Sequence, residues 1–94
     1  MMSKKLHSTF YHLYVIKSAK DRNFFIGVTE NLKEELDRHN EGKIKETTFK
    51  RPFKLIYFEG YRREADAIER RDFYKTLPGK IQLKNQIKHY LAEK

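Results

Sequence analysis

Hydrophobic and polar positions divide the chain into short, well-separated elements. Thr9 to Ile16 is rich in aromatic and β-branched residues and predicts a strand. Ser18 to Asn23 is polar and turn-like, and Phe24 to Val28 predicts a second strand, so the pair forms a hairpin with a longish loop. Gly27 inside the second strand marks either a bulge or a close approach by another backbone or a ligand. Asn31 is placed to cap a helix, with Glu34 three residues later, and that helix runs to about Asn40 and ends at Gly42. Its inward stripe is Leu32, Leu36 and His39, with Glu35 beside it. Glu41 to Pro52 is a basic loop. Phe53 to Phe58 is nearly continuous in apolar residues and predicts a third strand at the centre of the sheet.

Two further helices follow. Glu64 to Leu77 predicts one, stopped by Pro78-Gly79, with Ala67, Arg71 and Tyr74 facing inward. Ile81 to Leu91 predicts another, with a stripe of Leu83, Ile87, Tyr90 and Leu91. The order is β-β-α-β-α-α. The expected fold is α+β, a small three-stranded antiparallel sheet flanked by helices. Residues 1–8 read as a flexible tail and 9–94 as one domain, since 94 residues allow no second core.

Composition narrows the function. The chain has no cysteine, which excludes disulfides, thiolate metal sites and a cysteine nucleophile. The longest apolar run, Leu55 to Phe58, is too short to span a bilayer, and the polar N-terminus resembles no secretion signal, so a cytoplasmic location without membrane partners is expected. A formal charge of +8 favours a polyanion, chiefly nucleic acid. Lys43, Lys45, Lys50 and Arg51 in the loop, with Arg38 on the first helix, are the candidate phosphate contacts, against the plainer reading of a solvated basic loop. Phe49, in that same loop, is the aromatic residue least explained by a core. No phosphate-cradling glycine loop and no nucleophilic serine motif is present.

One resemblance gathers these elements. Tyr14, Phe25-Ile26-Gly27, the Asn31-to-Asn40 helix, Arg51-Pro52-Phe53-Lys54-Leu55-Ile56-Tyr57 and Asp66-Ala67 together resemble the GIY-YIG nuclease domain, from about Phe10 to Leu91. The likeness is to small single-domain bacterial endonuclease-like proteins and to the nuclease domain of the excision-repair endonuclease. It implies metal-dependent hydrolysis of DNA phosphodiesters. A tyrosine of the second motif, aided by one of the first, would activate water. An arginine on the first helix would stabilise phosphate charge, and a glutamate on the second would hold one divalent cation.

Carried over residue by residue, the resemblance keeps the first tyrosine as Tyr14 and the first-helix histidine as His39. It puts Phe25 where the second tyrosine belongs, Glu35 where the arginine belongs and Arg71 where the metal-binding glutamate belongs. Phe25 has no hydroxyl to move a proton. Glu35 and Arg71 are expected to form an ion pair across the former site. A shifted alignment through Glu64-Ala65-Asp66-Ala67-Ile68-Glu69 would make Glu69 the metal ligand instead, at the cost of turning it away from the inward face.

Three functions follow as expectations. The first is a degenerate nuclease domain that binds DNA or RNA and needs no cofactor. The second is a working endonuclease using Mg or Mn, with Tyr14 or Tyr11 as proton acceptor, Glu69 or Asp72 on the metal, and Arg38 or Arg71 on the phosphate. The third is a protein-interaction module. Tyr14 and His39 also admit a purely packing role.

Overall fold

A computed structural model describes residues 10–93; the tail expected at residues 1–8 lies outside them. Strands β1 (Tyr11–Ser18), β2 (Phe24–Thr29) and β3 (Phe53–Tyr61) form one antiparallel sheet in the order β2-β1-β3. Helix α1 (Leu32–Asn40) and a 3-10 helix (Lys45–Lys50) lie between β2 and β3. Helices α2 (Glu64–Tyr74), α3 (Leu77–Gln86) and α4 (Lys88–Leu91) follow β3. The α+β class agrees with the sequence reading, and so does the order β-β-α-β-α apart from the 3-10 helix inside the expected loop.

The centre of the sheet is β1, not β3. Leu13, Tyr14, Val15 and Ile16 are all buried, which requires cover on both faces of the strand. Alternation sends Leu13 and Val15 to one face, where they pack with Tyr74 and Leu83. It sends Tyr14 and Ile16 to the other, where Phe53, Leu32 and Leu36 close over them. So α1 covers one face, while α2 and α3 cover the other. The apolar run in β3 has a different cause from the one expected. A register shift opposite Val15 and Ile16 leaves Ile56 without a partner, so Ile56 and Tyr57 both pack on the α2 side. Phe58 then points out and is 50% exposed.

Local chemistry sets the helix bounds. The Asn31 side chain accepts from the Glu34 amide at 3.0 Å and starts α1. At its other end Asn40 donates to the Phe53 carbonyl at 3.1 Å and accepts from the Phe53 amide at 2.7 Å, tying α1 to the head of β3. Helix α2 ends at Tyr74 rather than Leu77. Thr76 caps the next helix by accepting from the Gly79 amide, so Pro78 and Gly79 sit in the first turn of α3 and begin it instead of stopping α2. A Cβ on Gly79 would collide with the Phe73 carbonyl, so only glycine lets the two helices meet this closely. The last helix is broken at Ile87, whose backbone leaves the helical region and separates α3 from α4. Among the described residues no helix is long and apolar enough to cross a membrane.

Candidate active site

Tyr14 is at the centre of the α1 face. It pairs with Gly27 across β1 and β2, and a Cβ on Gly27 would lie 2.5 Å from the Tyr14 hydroxyl. The missing side chain in β2 is therefore the space into which the phenol folds. His39 reaches the same point from α1 and is fully buried, walled by Phe25, Tyr14 and Phe53 at ring separations of 5.0, 5.8 and 5.7 Å. Phe25 is thus a packing partner of the histidine.

The polar atoms form one directed chain. Tyr14 Oη lies 3.0 Å from Glu35 Oε2 and 2.9 Å from His39 Nε2, and His39 Nδ1 lies 2.7 Å from Thr47 Oγ1. A carboxylate can only accept, so Tyr14 donates its single proton to Glu35. The phenol oxygen then accepts from His39 Nε2–H. The bare Nδ1 accepts from the Thr47 hydroxyl. Burial, the nearby Glu35 charge and the hydrogen bond to it all push the Tyr14 phenol far above its ordinary range, against a smaller opposing pull from Arg38. Burial pushes His39 below the usual histidine range, outweighing the upward pull of Glu35 and Glu46. At neutral pH the phenol keeps its proton and the imidazole is uncharged. Neither group is a free base, and both are sealed from solvent, with Tyr14 3% exposed.

Glu35 is where this chain meets water, its side chain 22% exposed. It opens into a cleft of about 570 Å³ between the end of β2 and the first turns of α1 and α2. Glu30, Glu34, Glu35 and Glu64 line it, with Arg38 the one cation and Tyr11 at the side. A phosphodiester entering here would meet four carboxylates, each pair of like charges at about 4 Å costing roughly 1 to 4 kcal/mol with solvent screening.

The chain matches the family model described as GIY-YIG catalytic domain over residues 10–85. The chain belongs to the GIY-YIG family. It is similar to the UPF0213 protein in the ldhD 5'region of Pediococcus acidilactici, at 34% identity over 79% of this chain and 78% of that one. It is similar also to UPF0213 protein YazA of Bacillus subtilis, at 30% identity over 73% and 71% of the two chains. A UPF0213 protein of Clostridium perfringens is 34% identical over 70% and 71%. No solved structure matches.

Within this GIY-YIG domain the expected Glu35–Arg71 ion pair does not form. Glu35 is engaged by Tyr14, and Arg71 Nε holds Asp72 at 3.0 Å on α2. Leu32 and Leu36 of α1 pack on the Tyr14 face and Tyr74 of α2 on the Leu13 face. Where the two helices share the cleft, the α2 lining residue is Glu64, not Arg71. The position that the resemblance gives to a metal-binding carboxylate is Arg71, and a guanidinium has no lone pair to give a cation. Asp72 is engaged with that guanidinium, and Glu69 is exposed. Among the described residues no three histidines or carboxylates gather to hold a metal. These donors do not fit a divalent ion at that place.

The basic loop is more ordered than its sequence implies. Lys43 pairs with Glu41 at 3.1 Å, Lys50 with Asp21 at 3.4 Å, and Arg51 Nε donates to the Thr48 carbonyl at 2.8 Å, while Lys45 is exposed. Its 3-10 helix delivers Thr47 to His39, a role no local pattern announces. A second, part-buried network also escapes the sequence. On the α2 side Glu59 accepts from Tyr57 at 2.6 Å, Tyr61 at 2.7 Å, Arg70 at 3.0 Å and Tyr74. Burial alone would raise this carboxyl, but the four donors together hold it below the usual carboxylate range.

Proposed function

We propose that this GIY-YIG domain has lost its nuclease chemistry and binds DNA or RNA through its basic surface. The observation that carries this reading is the closed Thr47–His39–Tyr14–Glu35 chain. The one tyrosine kept from the family pair is buried, protonated and committed to a carboxylate that stands in the arginine's place. The formal charge of +8 supplies the attraction to a polyanion that remains once cleavage is gone. The domain then needs no cofactor. The test is binding of a labelled oligonucleotide at rising salt, with the bound strand recovered and sized. Affinity should fall roughly 50-fold between about 50 and about 200 mM salt if some four phosphates are neutralised on a single strand. The recovered strand should be intact with Mg or Mn present. Salt-independent affinity, or a shortened strand, defeats this reading.

A working nuclease is supported by one observation, the placing of Tyr11 and Arg38 in the same cleft. In that reading Tyr11 is the proton acceptor and Arg38 meets the phosphate, and Glu69, which lies outside the cleft lining, would have to hold Mg or Mn. Metal-dependent cleavage that disappears in both Arg38→Ala and Glu69→Ala is its signature.

A further inference from the structure

The opposite end of β2 carries a second recess of about 560 Å³, and its charge is the reverse of the first. Arg22 from the β1–β2 turn, Lys50, Lys75 at the end of α2, and Lys80 and Lys84 on α3 line it without a single carboxylate. Asp21 neutralises Lys50 from outside the lining. The other four have no ion-pair partner among the described residues. Four unpaired cations converging on one concavity, from three separate parts of the chain, repel one another unless an anion joins them. Phe24 and Ile26 of β2 give it an apolar side with Leu83.

Two further features bear on it. Arg22 has a φ of 66°, in the left-handed region that favours glycine, and is held there by the hydrogen bond from its amide to the Ser18 carbonyl at 3.0 Å. A backbone outlier at a large, charged side chain points to a use for that side chain. Phe49, next in the chain to Lys50, is 83% exposed and has no core role.

We propose that this basic recess, not the acidic cleft of the family site, receives the phosphate backbone of single-stranded nucleic acid, with Phe49 stacking on an unpaired base beside it. The inference rests on the nucleic-acid reading above and names its surface and substrate class. An unpaired strand can enter a recess and turn out a base for an exposed ring, whereas a duplex keeps its base faces covered. The β1–β2 turn, the 3-10 helix and α3 thereby become the recognition elements, and the loop cations Lys43 and Lys45 become bystanders.

The test is fluorescence anisotropy with labelled thymidine and uridine oligonucleotides of about 15 bases and a duplex of the same length, the size being within the reach of one small domain. Lys80→Glu/Lys84→Glu should weaken single-strand binding at least tenfold, about 1.4 kcal/mol. Lys43→Glu/Lys45→Glu, with the same change of charge, should weaken it no more than about twofold, as bulk charge alone would. Phe49→Ala should cost about fivefold or more on single strands and leave duplex binding unchanged. All five side chains are exposed, so the variants should fold. Equal losses from the two lysine pairs, or loss from Lys43/Lys45 alone, would overturn the recess while leaving nucleic-acid binding intact. Tighter binding of duplex, with Phe49→Ala silent, would overturn the single-strand assignment. Wild-type protein that binds no oligonucleotide at low salt would overturn the underlying reading as well.

Discussion

Glu35 accepts the hydroxyl proton of Tyr14 at 3.0 Å, across 21 residues of chain, and Arg71 takes no part in that contact. The Tyr14 hydroxyl is thus occupied by a residue of the first helix. A double-mutant cycle separates this contact from the Glu35–Arg71 pair that sequence alone suggests. Glu35→Ala with Tyr14→Phe should show a coupling of about 1 kcal/mol, as for a partly buried hydrogen bond to a charge. Glu35→Ala with Arg71→Ala should be additive within about 0.5 kcal/mol. Urea unfolding measures both. Coupling to Arg71 larger than to Tyr14 would mean that the two helices meet across the sheet edge.

His39 makes stability depend on pH. Its folded pKa lies below the ordinary 6.5 because burial disfavours the imidazolium. The unfolded chain therefore binds the extra proton first, and stability is lost as pH falls from about 6.5 toward the lower folded value. The groups facing it are Glu35, Arg38 and Glu46. Thermal unfolding of wild type should show a falling Tm between pH 7 and 5. In His39→Gln the same interval should be flatter, from a lower starting Tm. An unchanged slope in His39→Gln assigns the pH dependence elsewhere.

Glu59 anchors the opposite face. Its depressed pKa adds stability above the ordinary carboxylate range, which is lost as pH falls below about 4.5. Glu59→Ala leaves Arg70 and three phenols without their acceptor and should cost about 2 to 3 kcal/mol. The Tyr61 hydroxyl, pushed up to about 12 by burial and by its bond to Glu59, should titrate nearer its ordinary range in that variant. Absorbance titration of the tyrosines at alkaline pH reads this directly. An unaltered curve would mean that Glu59 does not bind them.

Much of this fold is legible in residue order, and the exceptions share a cause. The Asn31–Glu34 cap is a local fact, and local sequence reveals it. Gly27 signals a close approach, but what fills the space is the Tyr14 side chain from the neighbouring strand rather than a bulge, a backbone or a ligand. Apolar runs do not say which strand is central, because a single unpaired residue, Ile56, moves its neighbours to a new face. Pro78-Gly79 punctuates the chain, but only the Thr76 cap decides that it opens a helix. Helical periodicity identifies Glu35 and Arg71 as inward, yet inward means opposite sides of the sheet for α1 and α2. The partners Thr47 and Glu59 carry no motif, since their roles come from pairings made only in the folded chain.

Arg22 offers a trade between stability and binding. A left-handed non-glycine residue carries strain of about 1 kcal/mol, so Arg22→Gly should stabilise the fold by up to about that amount. The same change removes one cation from the basic recess and should weaken oligonucleotide binding about threefold, near one phosphate contact. Urea midpoint and anisotropy, measured on one preparation, check both signs. A destabilised Arg22→Gly would mean that the arginine side chain holds the turn.

The nuclease question is met most directly by nicking of supercoiled plasmid. Purified wild-type protein, incubated with Mg and separately with Mn, should leave the supercoiled band intact at protein concentrations that saturate binding. Phe25→Tyr/Glu35→Arg/Arg71→Glu, which installs the residue types that the resemblance implies at those three positions, is the comparison. Relaxed circles from the wild type, dependent on added metal and abolished in Arg38→Ala, would contradict a silent centre.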